Sequence, residues 1–335
     1  VNRTILPGLV LSFAIGALAL GMIAGIGDYL PGVSGLLVAI VIGVLWRNIA
    51  PVPEVVEPGI TVASKTVLRW GIVLMGLQLA VDEILALGWG TIVLIVLAVV
   101  ITFGATVILA KALRVPSALG LLIASGFSIC GAAAVAGADS VLKAKKEFTA
   151  TSIGLVVLFG TLMIPAMPVL VALCGFSTTQ GAIWAGTSVH EVAQVVAVAE
   201  TLGPEASTTA VTVKLGRVMM LAFVLAAIAF LSSRHASSRS TPEDPAPGSR
   251  PALVPWFVIG FFIMVALRSV DILPPTALEV VQLIQSLFLA TAMFGLGMGV
   301  RIRSLVQVGA RPIMLATLST LIITVIGGLG AGRLA

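Results

Sequence analysis

The stretch Ala124-Ser125-Gly126-Phe127-Ser128-Ile129-Cys130-Gly131-Ala132-Ala133-Ala134 sits inside an apolar segment where leucine and valine would ordinarily be found. Its small and hydroxyl-bearing residues admit two readings. Glycines serve close helix packing in membranes, and glycine also removes the steric barrier to unwinding. Unwound backbone at membrane depth is tolerated only where protein or a polar cavity covers it. A second stretch, Phe294-Gly295-Leu296-Gly297-Met298-Gly299-Val300, has the same character in a later segment. Two such stretches at corresponding positions predict two interrupted helices, near Gly126–Gly131 and near Gly295–Gly299, crossing close together.

The composition around these stretches sets the class. Of 335 residues, 59% are hydrophobic and 10% charged, against roughly 25% charged in an ordinary soluble domain. Apolar runs long enough to cross a hydrocarbon layer of about 30 Å recur along the chain. They predict an all-α membrane protein with about eleven transmembrane helices, near 8–27, 33–49, 65–81, 88–112, 117–141, 149–173, 179–200, 206–232, 252–270, 276–300 and 310–332. The first run has no cleavage pattern leading to a soluble domain and reads as a span. Residues 233–251, rich in Ser, Pro and charge, read as a disordered linker. Cys130 and Cys174 lie in apolar segments and offer neither a disulfide framework nor metal-ligand spacing.

Basic residues orient the chain. With a cytoplasmic N-terminus, Arg3, Arg47, Lys65, Arg69, Lys111, Arg114, Arg234, Arg239, Arg250, Arg301, Arg303 and Arg311 fall inside, and Asp28, Asp82, Glu83, Glu200, Glu205 and Asp271 fall outside. Lys143, Lys145 and Lys146 violate the rule, with Arg268 and Arg333 as lesser exceptions. The expectation is a bacterial inner-membrane protein, N-terminus in and C-terminus out.

The Thr-rich entries Thr61–Met75 and Thr208–Leu221 each lead through Lys and Arg into an apolar helix, five spans apart. An odd separation inverts one copy relative to the other. The predicted organisation is an additional first helix (1–32) and two inverted five-helix repeats (33–175 and 176–335), each with one discontinuous helix.

Ionisable residues inside spans are functional candidates because their burial is expensive. Span seven contains Thr187-Ser188-Val189-His190-Glu191-Val192-Ala193-Gln194, and span eight contributes Lys214 and Arg217, three apart on one helical face. In the middle of this helix His190 and Gln194, four apart, share a face, whereas Glu191 points roughly a quarter-turn away and shares its face with Ser188 and Thr187. One carboxylate cannot balance two cations, so an anion or a proton shared with His190 is expected to complete the charge. Glu191 paired to Lys214 or Arg217 as a mere helix lock is the competing reading.

The segments GFSICGAAAVAG (126–137), GTSVHEVAQVVA (186–197), TVKLGRVMML (212–221) and FGLGMGV (294–300) resemble the signature blocks of the bacterial sulfate exporter family, conserved multi-pass membrane proteins whose sulfate label is itself largely inferential. The resemblance covers essentially the whole chain. It implies kinship with the inverted-repeat folds of bile-acid/sodium symporters and sodium/proton antiporters, and it brings no established site residues.

The resulting expectation is a secondary transporter of a small anion (sulfate, sulfonate or carboxylate), working by alternating access with a coupling H⁺ or Na⁺. The alternative is a cation antiporter or an organic-acid symporter of the same fold. Substrate contacts are expected from Ser125, Gly126, Phe127, Ser128, Gly131, Lys214, Arg217, Gly295 and Gly297, and ion or proton coupling from His190, Glu191 and Gln194. An enzyme is not expected: Ser188 and His190 face differently on a helix, and His190-Glu191 does not open an HExxH motif. No cofactor, metal or nucleic acid is expected. The lipid bilayer is the expected partner besides the anion, and a homo-oligomer is compatible.

Overall fold

The computed structural model describes residues 5–26, 35–203, 205–237, 256–270, 273–299 and 309–334. The described residues form helices α1 (Leu6–Ile26), α2 (Gly35–Ile49), α3 (Glu57–Val62), α4 (Leu68–Met75), α5 (Val81–Ala86), α6 (Gly88–Ala112), α7 (Ser117–Ser128), α8 (Ala132–Leu142), α9 (Lys146–Cys174), α10 (Thr178–Ser188), α11 (Val192–Leu202), α12 (Ala206–Ser237), α13 (Trp256–Ser269), α14 (Pro275–Gly297) and α15 (Ala310–Ala331). A π-helical turn, Ala63–Val67, joins α3 to α4 without a break. Among the described residues seven helices are long and apolar enough to cross a membrane, and shorter apolar helices accompany them. Large apolar side chains such as Leu97 and Ile101 on α6, Leu158 and Leu162 on α9, and Val325 and Leu329 on α15 point outward. Lipid is the medium that suits such a surface. The linker expected at 233–251 lies outside the described residues, apart from 233–237, which continue α12.

The helices form two layers. One, a scaffold, packs α1, α2, α3–α4, α13 and α14 together; the other packs α6 through α12, apart from the connecting turns, with α15. In the scaffold, α14 is unbroken from Pro275 to Gly297 and ends there, inside the stretch expected to be interrupted, with Met298 and Gly299 in a turn; residues 300–308, which would show whether a helix resumes, lie outside the described residues. A Cβ on Gly297 would stand 3.0 Å from Val44 N, and one on Gly295 would stand 3.0 Å from Ser64 N. These glycines let α14 approach α2 and the α3–α4 turn at backbone distance, the packing use of small residues in membranes.

The second layer contains two helical hairpins. α6 begins beside the end of α15, where a Cβ on Gly330 would stand 2.9 Å from Leu94 Cγ, and α9 ends there too, with Phe176 Cζ 3.1 Å from the corresponding point on Gly332. At 1.5 Å per residue α6 carries the chain about 37 Å away and α9 brings it back about 43 Å. The pair α7–α8, which joins them, therefore leaves and returns at one face of the bundle. α10–α11 does the same from the opposite face: α9 ends and α12 begins there, and a Cβ on Gly181 at the start of α10 would lie 3.3 Å from Leu202 Cδ1 at the end of α11. The interruption expected near Gly126–Gly131 is present between α7 and α8, but the segments expected to cross as spans five and seven are re-entrant, entering and leaving on the same side.

Two further expectations change with this topology. Segment 61–75 lies in the scaffold and 208–221 in the hairpin layer, so they are not counterparts in an order-for-order repeat. The lysine violation disappears. Residues of the 143–147 turn line one cavity with Arg47, Glu57 and Gly299, which places Lys143 on the same face as Arg47, Lys65 and Arg114. Single cysteines replacing Arg114 and Lys145, in a background lacking Cys130 and Cys174, should react with an impermeant thiol reagent from the same side of sealed vesicles. Cysteines replacing Ser177 and Gly203 should react from the other side only. Opposite-side labelling of Arg114→Cys and Lys145→Cys would show a crossing helix in place of the first hairpin.

Candidate functional site at the hairpin tips

α7 stops because Ile129 leaves helical geometry and Gly131 takes φ +77°, ψ −136°, a conformation open to glycine and strained for any other residue. α10 opens with a capping box, in which Ser177 accepts the Gln180 N–H and Gln180 accepts the Ser177 N–H, and it ends at Ser188. The chain then passes through Val189 and His190 to Glu191, the N-cap of α11. Helix termini leave orphan carbonyls at one end and orphan N–H groups at the other. The two tips bring two of each kind together in the interior of the helix bundle.

Lys214 and Arg217, fully buried on one face of α12, attend to the carbonyls. Lys214 Nζ donates to Ile129 O (3.0 Å) and Val189 O (2.7 Å), one from each tip. Arg217 donates from Nε to Ser128 O (3.3 Å), from Nη1 to Gly186 O (3.2 Å) and Val189 O (3.1 Å), and from Nη2 to Phe127 O (3.3 Å). The negative dipole ends of α7 and α10 thus meet two cations, the favourable pairing for helix C-termini. Neither cation forms an ion pair with Glu191 among the described residues.

Glu191 attends to the N–H groups. Its Oε1 accepts the Ala132 N–H at 3.0 Å, at the start of α8. The same side chain accepts the Gln194 N–H, while Gln194 Oε1 accepts the Glu191 N–H at 3.2 Å. One carboxylate caps the second arms of both hairpins. A Cβ on Gly131 would stand 2.5 Å from Glu191 Cγ, so glycine there also makes room for this bridge.

The other expected site residues separate into groups. Gly126 O accepts the Gly131 N–H at 3.0 Å, closing the first tip. Ser125 Oγ donates to Leu121 O (2.8 Å) and Ser128 Oγ to Ala124 O (2.6 Å), so both hydroxyl hydrogens are spent on their own helix rather than held out to a ligand. Phe127 stacks on His190, with centroids 4.6 Å apart. His190 Nε2 lies 3.1 Å from Thr320 Oγ1 on α15. His190 and Gln194 do not share a helical face, because the chain between Ser188 and Val192 is not helical. Gly295 and Gly297 lie in the scaffold rather than at the tips. Thr320 was not anticipated; a lone threonine in an apolar span carries no signal of its partner. Among the described residues no three His, Cys, Asp or Glu side chains gather to hold a metal ion.

Known proteins are similar over most of the chain. A 43% identical relative from Corynebacterium glutamicum matches 95% of this chain and 89% of its own length. Relatives from Pseudomonas aeruginosa (36% identical; 94% of this chain, 90% of theirs) and Bacteroides thetaiotaomicron (35%; 85% of each) follow. All three carry the name UPF0324 membrane protein. No solved structure matches the chain. The model of one family matches residues 7–316, spanning both layers and both hairpins. The chain belongs to this family of membrane proteins, described as conserved hypothetical protein 698.

Proposed function

We propose that this protein is a secondary transporter of a small anion of the sulfate, sulfonate or carboxylate class, working by alternating access in the bacterial inner membrane. The observation that carries the reading is the meeting of two hairpins, entering from opposite faces, at a junction of buried charges. Paired helix breaks near the bilayer midplane are how inverted-repeat transporters build a central site. A rigid structural protein has no need of unwound backbone at that depth.

The directions of the helices support an inverted repeat with a rotated chain order. α2, α3–α4, α6, the first hairpin and α9 pair with α13, α14, α15, the second hairpin and α12, each partner running the opposite way. In the sequence the second hairpin and α12 precede α13, so the second copy is circularly permuted. Nine crossings and two re-entrant hairpins result. With the basic face in the cytoplasm, the N-terminus is inside and the C-terminus outside.

Charge favours an anion. Lys214 and Arg217 against Glu191 leave the junction one positive charge in excess, which an anion offsets. A cation antiporter needs a carboxylate with lone pairs available to the ion, and Glu191 has committed its side chain to two backbone N–H groups. Glu191 is also the group placed to couple a proton, since protonation removes its charge and weakens its hold on Ala132. An enzymatic role gains no support: Ser188 Oγ donates to Ile323 O at 3.2 Å, away from His190.

Purified protein in liposomes preloaded with unlabelled anion should accumulate the labelled form by counterflow in at least one of three arms: sulfate, methanesulfonate or succinate. The responding anion should raise the melting temperature, with about 2.7 kcal/mol of stabilisation at a hundredfold excess over its dissociation constant. Neither exchange nor stabilisation in any arm would overturn the reading.

A further inference from the structure

Between the scaffold and the second arm of the first hairpin lies a cavity of about 800 Å³ on the basic face. Small-molecule sites run from roughly 300 to 1,000 Å³, so it is large enough to admit a hydrated small ion. Four cations line it, Arg47, Lys65, Arg69 and Lys143, together with three carboxylates, Glu57, Asp139 and Glu147. The carboxylates are not all available. Glu57 is bonded to Arg47 at 3.1 Å, and Asp139 Oδ1 accepts the Ala144 N–H at 3.1 Å. Among the described residues Lys65, Arg69 and Lys143 have no carboxylate within ion-pair distance.

Two of these cations are placed by local structure. Lys65 is the centre of the π-helical turn Ala63–Val67; such bulges insert a residue into a helix and recur at functional sites. Arg69, one turn on, holds its guanidinium 5.8 Å from the Phe257 ring, another element of the wall. The wall also follows α8 inward to Ala136, one turn from Ala132, where Glu191 bridges the hairpin tips. The cavity leads from the basic face toward the junction.

We propose that this cavity is an anion-binding site on the basic face, held chiefly by Lys65 and Arg69, through which the transported anion reaches the hairpins. Lys214 and Arg217 hold the tips together and are not its primary contacts. The proposal rests on the anion-transporter reading.

The test measures binding of sulfate, methanesulfonate and succinate to the full-length detergent-solubilised protein at fixed ionic strength, by melting shift. Lys65→Gln and Arg69→Gln should each weaken binding of the responding anion at least tenfold. Lys111→Gln, an exposed charge on the same face outside the cavity, should leave it within twofold. Wild-type-like affinity in both cavity variants would overturn the site while leaving the transporter reading standing. A wild-type melting temperature indifferent to all three anions would overturn the site, and the absence of counterflow as well would overturn the transporter reading with it. If a cavity variant does not fold, Ser64→Cys in the background lacking Cys130 and Cys174 gives a second measure. Bound anion should slow its modification by a negatively charged thiosulfonate at least threefold, and unchanged modification would overturn the site.

Discussion

An Arg217→Met variant is expected to lose about 3–5 kcal/mol of stability, the largest effect of any single side chain at the junction. The guanidinium makes four bonds to backbone carbonyls of two hairpins. Methionine fills much of the volume but donates nothing, so the carbonyls of Phe127, Ser128 and Gly186 lose this donor where water is scarce. Val189 O keeps Lys214. Each charge-assisted bond contributes about 1.5–3 kcal/mol, and the sum is less than additive because the tip relaxes once the first bond is gone. Arg217→Lys should recover only part of the loss, since a point charge cannot span the fork from Phe127 to Gly186. Melting of the three proteins in detergent, followed by tryptophan fluorescence, checks this. An Arg217→Met protein within 1 °C of wild type would mean that the cation is not holding the tips and is free for a ligand.

Glu191→Ala is expected to cost about 2–3 kcal/mol and to loosen two places 59 residues apart. It removes the N-cap of α11, typically about 1 kcal/mol, and a charge-assisted bond to the Ala132 N–H of α8. Glu191→Gln keeps an acceptor oxygen and should lose roughly half as much. Backbone hydrogen exchange supplies a signature that a general loss of stability would not produce. Exchange should accelerate at both 131–134 and 191–195 in Glu191→Ala while the middle of α6 keeps its protection. Acceleration confined to 191–195 would show that the carboxylate caps its own helix alone.

Both predictions concern residues legible from the sequence as expensive charges in apolar segments, and their gathering at one junction was expected on that ground. Their partners were not. Lys214 and Arg217 were anticipated as contacts for an anion and Glu191 as a proton-coupling group, with an ion pair between them as the competing reading; in the structure the cations bond carbonyls and the carboxylate bonds N–H groups. A sequence shows which side chains carry charge, whereas the backbone groups left over at a helix end become visible only once the end is located. The two glycine-rich stretches illustrate the same limit. Gly131 and Gly295 sit in similar surroundings in the sequence, yet one turns the chain at φ +77° and the other lets two helices touch. Small size serves both purposes.

Composition alone determined that the chain is helical and lives in a membrane, because so little charge and so much apolar surface cannot fold in water. The apolar runs located the helices to within several residues in most cases. The lysines at 143–146 carried a topological signal as well, since a cluster on the wrong side means that one intervening segment fails to cross. What only the tertiary structure decided is which segments turn back. Hydropathy has no direction: 12 residues inward and 11 outward bury the same apolar surface as one span of that length. The choice is made where Lys214 and Arg217 meet carbonyls 85 to 90 residues earlier in the chain, and satisfying those orphan groups favours the folded-back arrangement over a straight crossing.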